Sequence, residues 1–157
     1  MATPSRELAI DNIATALSAI LTASGYKTNA GNNVNRYITG WFDAEIGTDP
    51  WVGFAMIGAT RVEHQPAGRM LVTAPFTVIA HTNSLSGATK TADLAAVEDD
   101  IIAALMSDVT RNGNAIWTKH LSTNSDEGNP DSDDSRGGSG TIVMTFEMAY
   151  RRTTGKT

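Results

Sequence analysis

The chain has 157 residues, with 17 acidic against 12 basic side chains for a formal net charge of −5, and no cysteine. That length favours one domain able to bury its own core without a disulfide or metal staple. The missing cysteine removes disulfides, thiolate nucleophiles and Cys-based zinc sites together, and the acidic balance argues against non-specific DNA binding. Residues 1–7 lack the basic start of a signal peptide, and no run of roughly 18 apolar residues marks a membrane span. Cytoplasmic synthesis is the expectation.

The first predicted element is a helix over residues 5–24. Thr3 is placed to cap it and Pro4 suits the first helical position, where a missing N–H costs nothing. Ile10, Ile13, Leu17, Ile20 and Leu21 recur at helical steps, and Gly25 stands where a left-handed stop is expected. Asn32 and Asn33 belong to a turn, and 34–39 reads as a short strand. Trp41, Phe42 and Trp51 flank a polar, Pro-containing segment. Three large aromatics there read either as a protein-contact patch or as the floor of the core.

Residues 51–63 read as extended, with Val52, Phe54 and Met56 alternating and Gly53 and Gly58 marking a bend. A turn at 65–68 leads into a clear strand, 70–81, whose Met70, Val72, Ala74, Phe76, Val78 and Ala80 share one face. Pro75 has no N–H for a ladder, so a bulge or an edge is expected beside it. After a loop at 83–87, a second helix over 91–108 presents Leu94, Val97, Ile101, Leu105 and Val109 as its stripe. Glu98, Asp99 and Asp100 read as a solvated face opposite. A turn at Asn112 and Gly113 precedes a strand over 114–121.

Residues 122–140 contain no apolar side chain larger than proline and carry five acids. They read as a flexible acidic loop between the last two strands. Residues 141–151 then alternate without a break: Ile142, Met144, Phe146, Met148 and Tyr150 on one face, Thr145, Glu147 and Arg151 on the other. Residues 153–157 form a polar tail. The order predicts a single α+β domain, a mixed or antiparallel sheet with two helices packed on one face.

Chemistry is sparse. Asn129, Asp131 and Asp133 faintly match the opening of a calcium loop, but Asp134 and Gly140 stand where glycine and glutamate are required. His64, His81 and His120 lie in separate segments. No nucleophile elbow is present, and the glycines at 137–140 precede a strand instead of the helix a phosphate loop needs. No catalytic residue, cofactor or metal is expected.

The arrangement as a whole resembles a known family. An N-terminal helix closing on Gly25, Tyr26, Lys27 and Thr28, an extended middle, a second helix, a loop with Glu127 and Gly128, and a last strand ending at Tyr150 and Arg151 are similar to the tail terminator (tail completion) proteins of long-tailed bacteriophages, of the lambda minor tail protein U type. The resemblance implies a virion protein that forms a hexameric ring at the head-proximal end of the tail tube. Such a ring stops polymerisation of the tail tube protein, offers a surface to the head–tail connector, and lets DNA pass through its lumen. Under that reading Trp41, Phe42 and Trp51 are the expected protein contacts, and Asp131, Asp133 and Asp134 an electrostatic surface. A tail tube or head–tail joining (neck) protein of related shape is the nearest alternative; a small ligand-binding domain or enzyme is the other.

Overall fold

Two long strands of opposite sense carry the fold. β4 (Arg69–Thr82) and β6 (Gly140–Thr153) are 14 residues each and pair along their whole length. Their period-two alternation is the cause: Val72, Ala74, Phe76, Val78 and Ala80 of one and Ile142, Met144, Phe146 and Met148 of the other are buried on a single face. Phe76 sits directly opposite Phe146, and the two rings stack with centroids 5.3 Å apart.

The other strands flank this pair: β1 (Val34–Asn35), β2 (Trp51–Ala55), β3 (Arg61–Gln65) and β5 (Trp117–Asp126). The sheet order is β1-β2-β4-β6-β5, with β3 also beside β4. β1 runs parallel to β2 and every other pairing is antiparallel, so the sheet is mixed. The two helices, α1 (Ser5–Ser18) and α2 (Gly87–Met106), lie on one face. Ile10, Ile13 and Leu17 of the first and Leu94, Val97, Ile101 and Leu105 of the second join the even-numbered strand residues in one core cluster. Each such aliphatic side chain contributes about 1.5–3 kcal/mol by leaving water.

The computed structural model describes residues 5–36, 50–82, 87–126 and 140–153. The expected cap at Thr3 and Pro4, Trp41 and Phe42, residues 37–39 of the first expected strand, the loop at 83–86, residues 127–139 and the tail from 154 onward lie outside them.

Several boundaries differ from expectation for physical reasons. The first helix ends at Ser18, not at 24. Residues 30–33 run against its end, and Gly31 N–H donates to Ile20 O at 2.9 Å. A β-carbon on Gly31 would lie 2.4 Å from Ser18 O, so only glycine allows that approach. Thr22–Ser24 form a short 3-10 turn, and Gly25 does close it in the left-handed region, at φ 91°. The extended middle divides into β2 and β3 around Gly58, whose φ of +119° turns the chain against Pro75. The stretch expected to be loop from Ser122 begins as strand: β5 continues through Asp126, paired with Thr141–Thr145 across a bulge at His120/Ser122. Ser122, Asn124 and Ser125 can do this because an outer strand needs backbone partners on one side only, not an apolar face.

Pro75 settles the hydrogen-bond phase of the whole sheet. It faces Glu147 within an unbroken ladder, and it has no N–H to exchange. That pair is therefore a non-hydrogen-bonded one, and the even-numbered residues of β4 and β6 exchange bonds with each other. The odd-numbered residues of β4 turn toward β2 and β3, which pair only with Thr77–His81 and Arg69–Thr73 and leave a gap opposite Pro75. The missing donor falls in that gap, the local edge the proline called for. The odd-numbered residues of β6 turn toward β5, as the 2.6 Å bond from Ile116 N–H to Ala149 O confirms.

Candidate interaction surface

The helices cover one face of the sheet. On the other, Leu71, Thr73, Thr77, Ile79, Val143, Thr145 and Glu147 are half-buried, and no described helix packs over them. Arg61 of β3 reaches Glu147 across this face at 3.3 Å, and Lys119 lies over the Trp117 ring at 4.3 Å. The rim carries exposed apolar side chains: Ile57 and Val62 on the β3 side, Ile116 and Leu121 on the β5 side.

The last strand, β6, is interior, held by β4 and β5. Among the described residues, β1, β3 and β5 each pair with one strand only. Arg61, Glu63 and Gln65 turn their backbone toward β4, so Val62 and His64 present theirs outward. Trp117 and Lys119 turn toward β6, but the β5 edge is covered at Thr118, which is 2% exposed and donates its hydroxyl to Val109 O at 2.9 Å.

Of the expected protein contacts, Trp51 alone is described. It begins β2, is 5% exposed and stands outside the core cluster. It lies on the face opposite the helices, beside His81, with its indole over Gly53. Trp41, Phe42, Asp131, Asp133 and Asp134 lie outside the described residues.

The acidic run on α2 needs correction. Asp99 is exposed and pairs with Lys27 at 2.5 Å, which holds that ammonium above its ordinary pKa. Asp100 is buried. Its carboxylate accepts Lys27 N–H at 3.0 Å, Thr28 N–H at 2.8 Å and Thr28 Oγ1–H at 2.8 Å. It ties the chain after α1 to the second helix. The signal was in the spacing: Asp100 follows Val97 by three and precedes Ala104 by four, on the flank of the buried stripe.

Arg111 was also missed. It has φ 50° and is fully buried, and its Nη2 donates to Leu105 O and Asp108 O. It satisfies carbonyls that the end of α2 would leave bare. Burial pushes its guanidinium below the ordinary range, with Asp108 opposing. The Asn112 and Gly113 turn beside it was legible; the reach of Arg111 back into the helix end was not.

A depression of about 540 Å³ lies between Ser24–Lys27 and α2, floored by Ile102 and Ala103. Its charged groups are Lys27, Asp99 and Asp100, already engaged with one another or with backbone. The three histidines stand apart: His64 exposed on β3, His81 buried beside Thr141 Oγ1 at 2.9 Å, and His120 tilted on Phe146. Arg151 and Arg152 end β6 in solvent. Among the described residues no group of three or more His, Asp or Glu side chains could hold a metal ion, and no helix is long and apolar enough to cross a membrane. No protein-family model matches the chain, and no curated protein matches it.

Proposed function

We propose that the chain is a structural virion subunit, a tail terminator that closes into a ring at the head-proximal end of a phage tail tube. The observation that carries this reading is a sheet clothed by helices on one face, with no described helix over the other, and with β3 and β5 as edge strands on its two sides. A closed ring needs two different patches, one on each flank of the subunit, and these two edges have that placement. The order of elements adds the resemblance to tail terminators. In this reading the ring contacts the tail tube protein below and the head–tail connector above, and performs no catalysis. The acidic residues Asp131, Asp133 and Asp134 would repel DNA phosphates and let the genome slide without sticking.

The same edges also serve a tail tube or neck protein, so assembly is the discriminating measurement. Electron micrographs of purified protein, with and without tube subunits, distinguish the cases. A terminator stops at a ring and caps tubes at one end. Long polymers of this chain alone favour a tube protein, and tubes that grow unaffected by it sink the terminator reading.

A further inference from the structure

We infer that Arg69, Arg151 and Arg152, together at one end of the sheet, receive the acidic segment 126–134 of a second copy, so that copies join end to end. The inference rests on the ring reading above for self-association, and it gives the acids a neighbour to meet before any DNA. The charges are sorted by end. Arg152 stands opposite Met70, Arg151 opposite Leu71 and Thr153 opposite Arg69, so the three arginines fall in three successive rows of the β4–β6 ladder. All three are exposed, and none holds an ion pair among the described residues. Of the acids on β3, β6 and the turn after α2, Glu147 is held by Arg61, and Asp108 by the N–H groups of Thr110 and Asn112, which leaves Glu63. Residues 154–157 add Lys156 and no acidic side chain. At the opposite end Asp126 pairs with Thr141, and residues 126–134 carry Asp126, Glu127, Asp131, Asp133 and Asp134 with no cation. Arginine forks grip carboxylates through paired hydrogen bonds. With a net charge of −5 copies otherwise repel, so the attraction between unlike ends is what orients them.

Chain length makes the contact intermolecular. Arg151 lies ten residues along β6 from Thr141, about 33 Å at the rise of a strand, and Arg69 lies further still. The fourteen steps from Asp126 to Gly140 span at most about 50 Å, so the tip of a loop anchored at both ends reaches about 25 Å. Asp131, Asp133 and Asp134 therefore fall short of their own arginines and meet those of a neighbour. The same measure keeps residues 37–49 off the receiving end. They leave one residue past the Asn35–Gly53 pair and return one residue before the Trp51–His81 pair. A path from there to the Leu71–Arg151 row and back is about 59 Å, against a span of about 50 Å.

Full-length protein is expected to self-associate in sedimentation velocity at about 20 mM salt and to dissociate at about 0.5 M, where charges are screened within a few ångströms. Two triple variants test the halves of the contact. Arg69→Gln/Arg151→Gln/Arg152→Gln removes the receiving end, and Asp131→Asn/Asp133→Asn/Asp134→Asn removes the charges of the segment. Each alone should associate about tenfold more weakly than wild type, with an unchanged thermal midpoint. Mixed, the two should regain the wild-type affinity but stop at a 1:1 dimer, because each keeps one working end. Wild-type protein that associates while both variants associate equally well overturns this contact and leaves the ring reading standing. Wild-type protein that stays monomeric at low salt also overturns it, and the ring reading then stands or falls separately on whether the protein caps tubes.

Discussion

Glu98, Asp99 and Asp100 adjoin in sequence, and the structure gives the last a different task. Replacing Asp100 with alanine removes an acceptor of three hydrogen bonds of 2.8–3.0 Å and leaves the N–H groups of Lys27 and Thr28 facing a side chain that cannot accept. Bonds to a charged acceptor are worth about 1.5–3 kcal/mol each, but they share one anchor and water re-enters, so the loss is not additive. We expect Asp100→Ala to cost about 3 kcal/mol. In urea, where a domain of this size has a slope of about 1–3 kcal/mol/M, the midpoint should fall by about 1–3 M. Asp100→Asn keeps one acceptor oxygen and should cost roughly half as much. Asp99→Ala and Glu98→Ala should stay within about 0.5 kcal/mol, since an exposed ion pair contributes little. Equal effects for all three acids, or an Asp100→Ala midpoint within error of wild type, would refute the clamp.

Gly31→Ala sets a β-carbon 2.4 Å from Ser18 O and 2.8 Å from Ile20 O, both backbone atoms that cannot swing aside. It should destabilise by about 1–3 kcal/mol in the same titration, whereas Gly113→Ala, which meets nothing within 4 Å, should show only the strain of its φ of +79°. Burial holds the His81 imidazole below its ordinary pKa of 6.5, so the folded state favours the neutral ring. Its stabilising effect is complete above that pKa and fades as pH falls below it, because the unfolded chain then takes up the proton first. Thermal midpoints should drop between pH 7 and pH 5, and His81→Asn should flatten that slope; a slope unchanged by the substitution would assign the pH response elsewhere.

How much of this was legible depends on the range of the interactions. Periodicity is local, and it placed β4, β6 and both helices because a strand or helix with one apolar side admits few other conformations. It also showed the proline that sets the phase of the sheet, though not which edge it would open. What lay beyond reach were contacts between segments far apart in the chain. The first helix stops at Ser18 because Gly31 arrives there. Asp100 is buried because Lys27 and Thr28 close over it, and Arg111 because its side chain folds back onto the helix it follows.

The alternating and helical patterns determined by themselves that this chain makes two helices over one face of a mixed or antiparallel sheet, since burying those stripes is the dominant gain available to it. Tertiary structure alone decided which strands lie inside and which lie at the rim. A strand's own residues state how it can pair, but its place in the order follows from which other strands reach it first. That placement put β6 in the interior and left β1, β3 and β5 as the edge strands among the described residues.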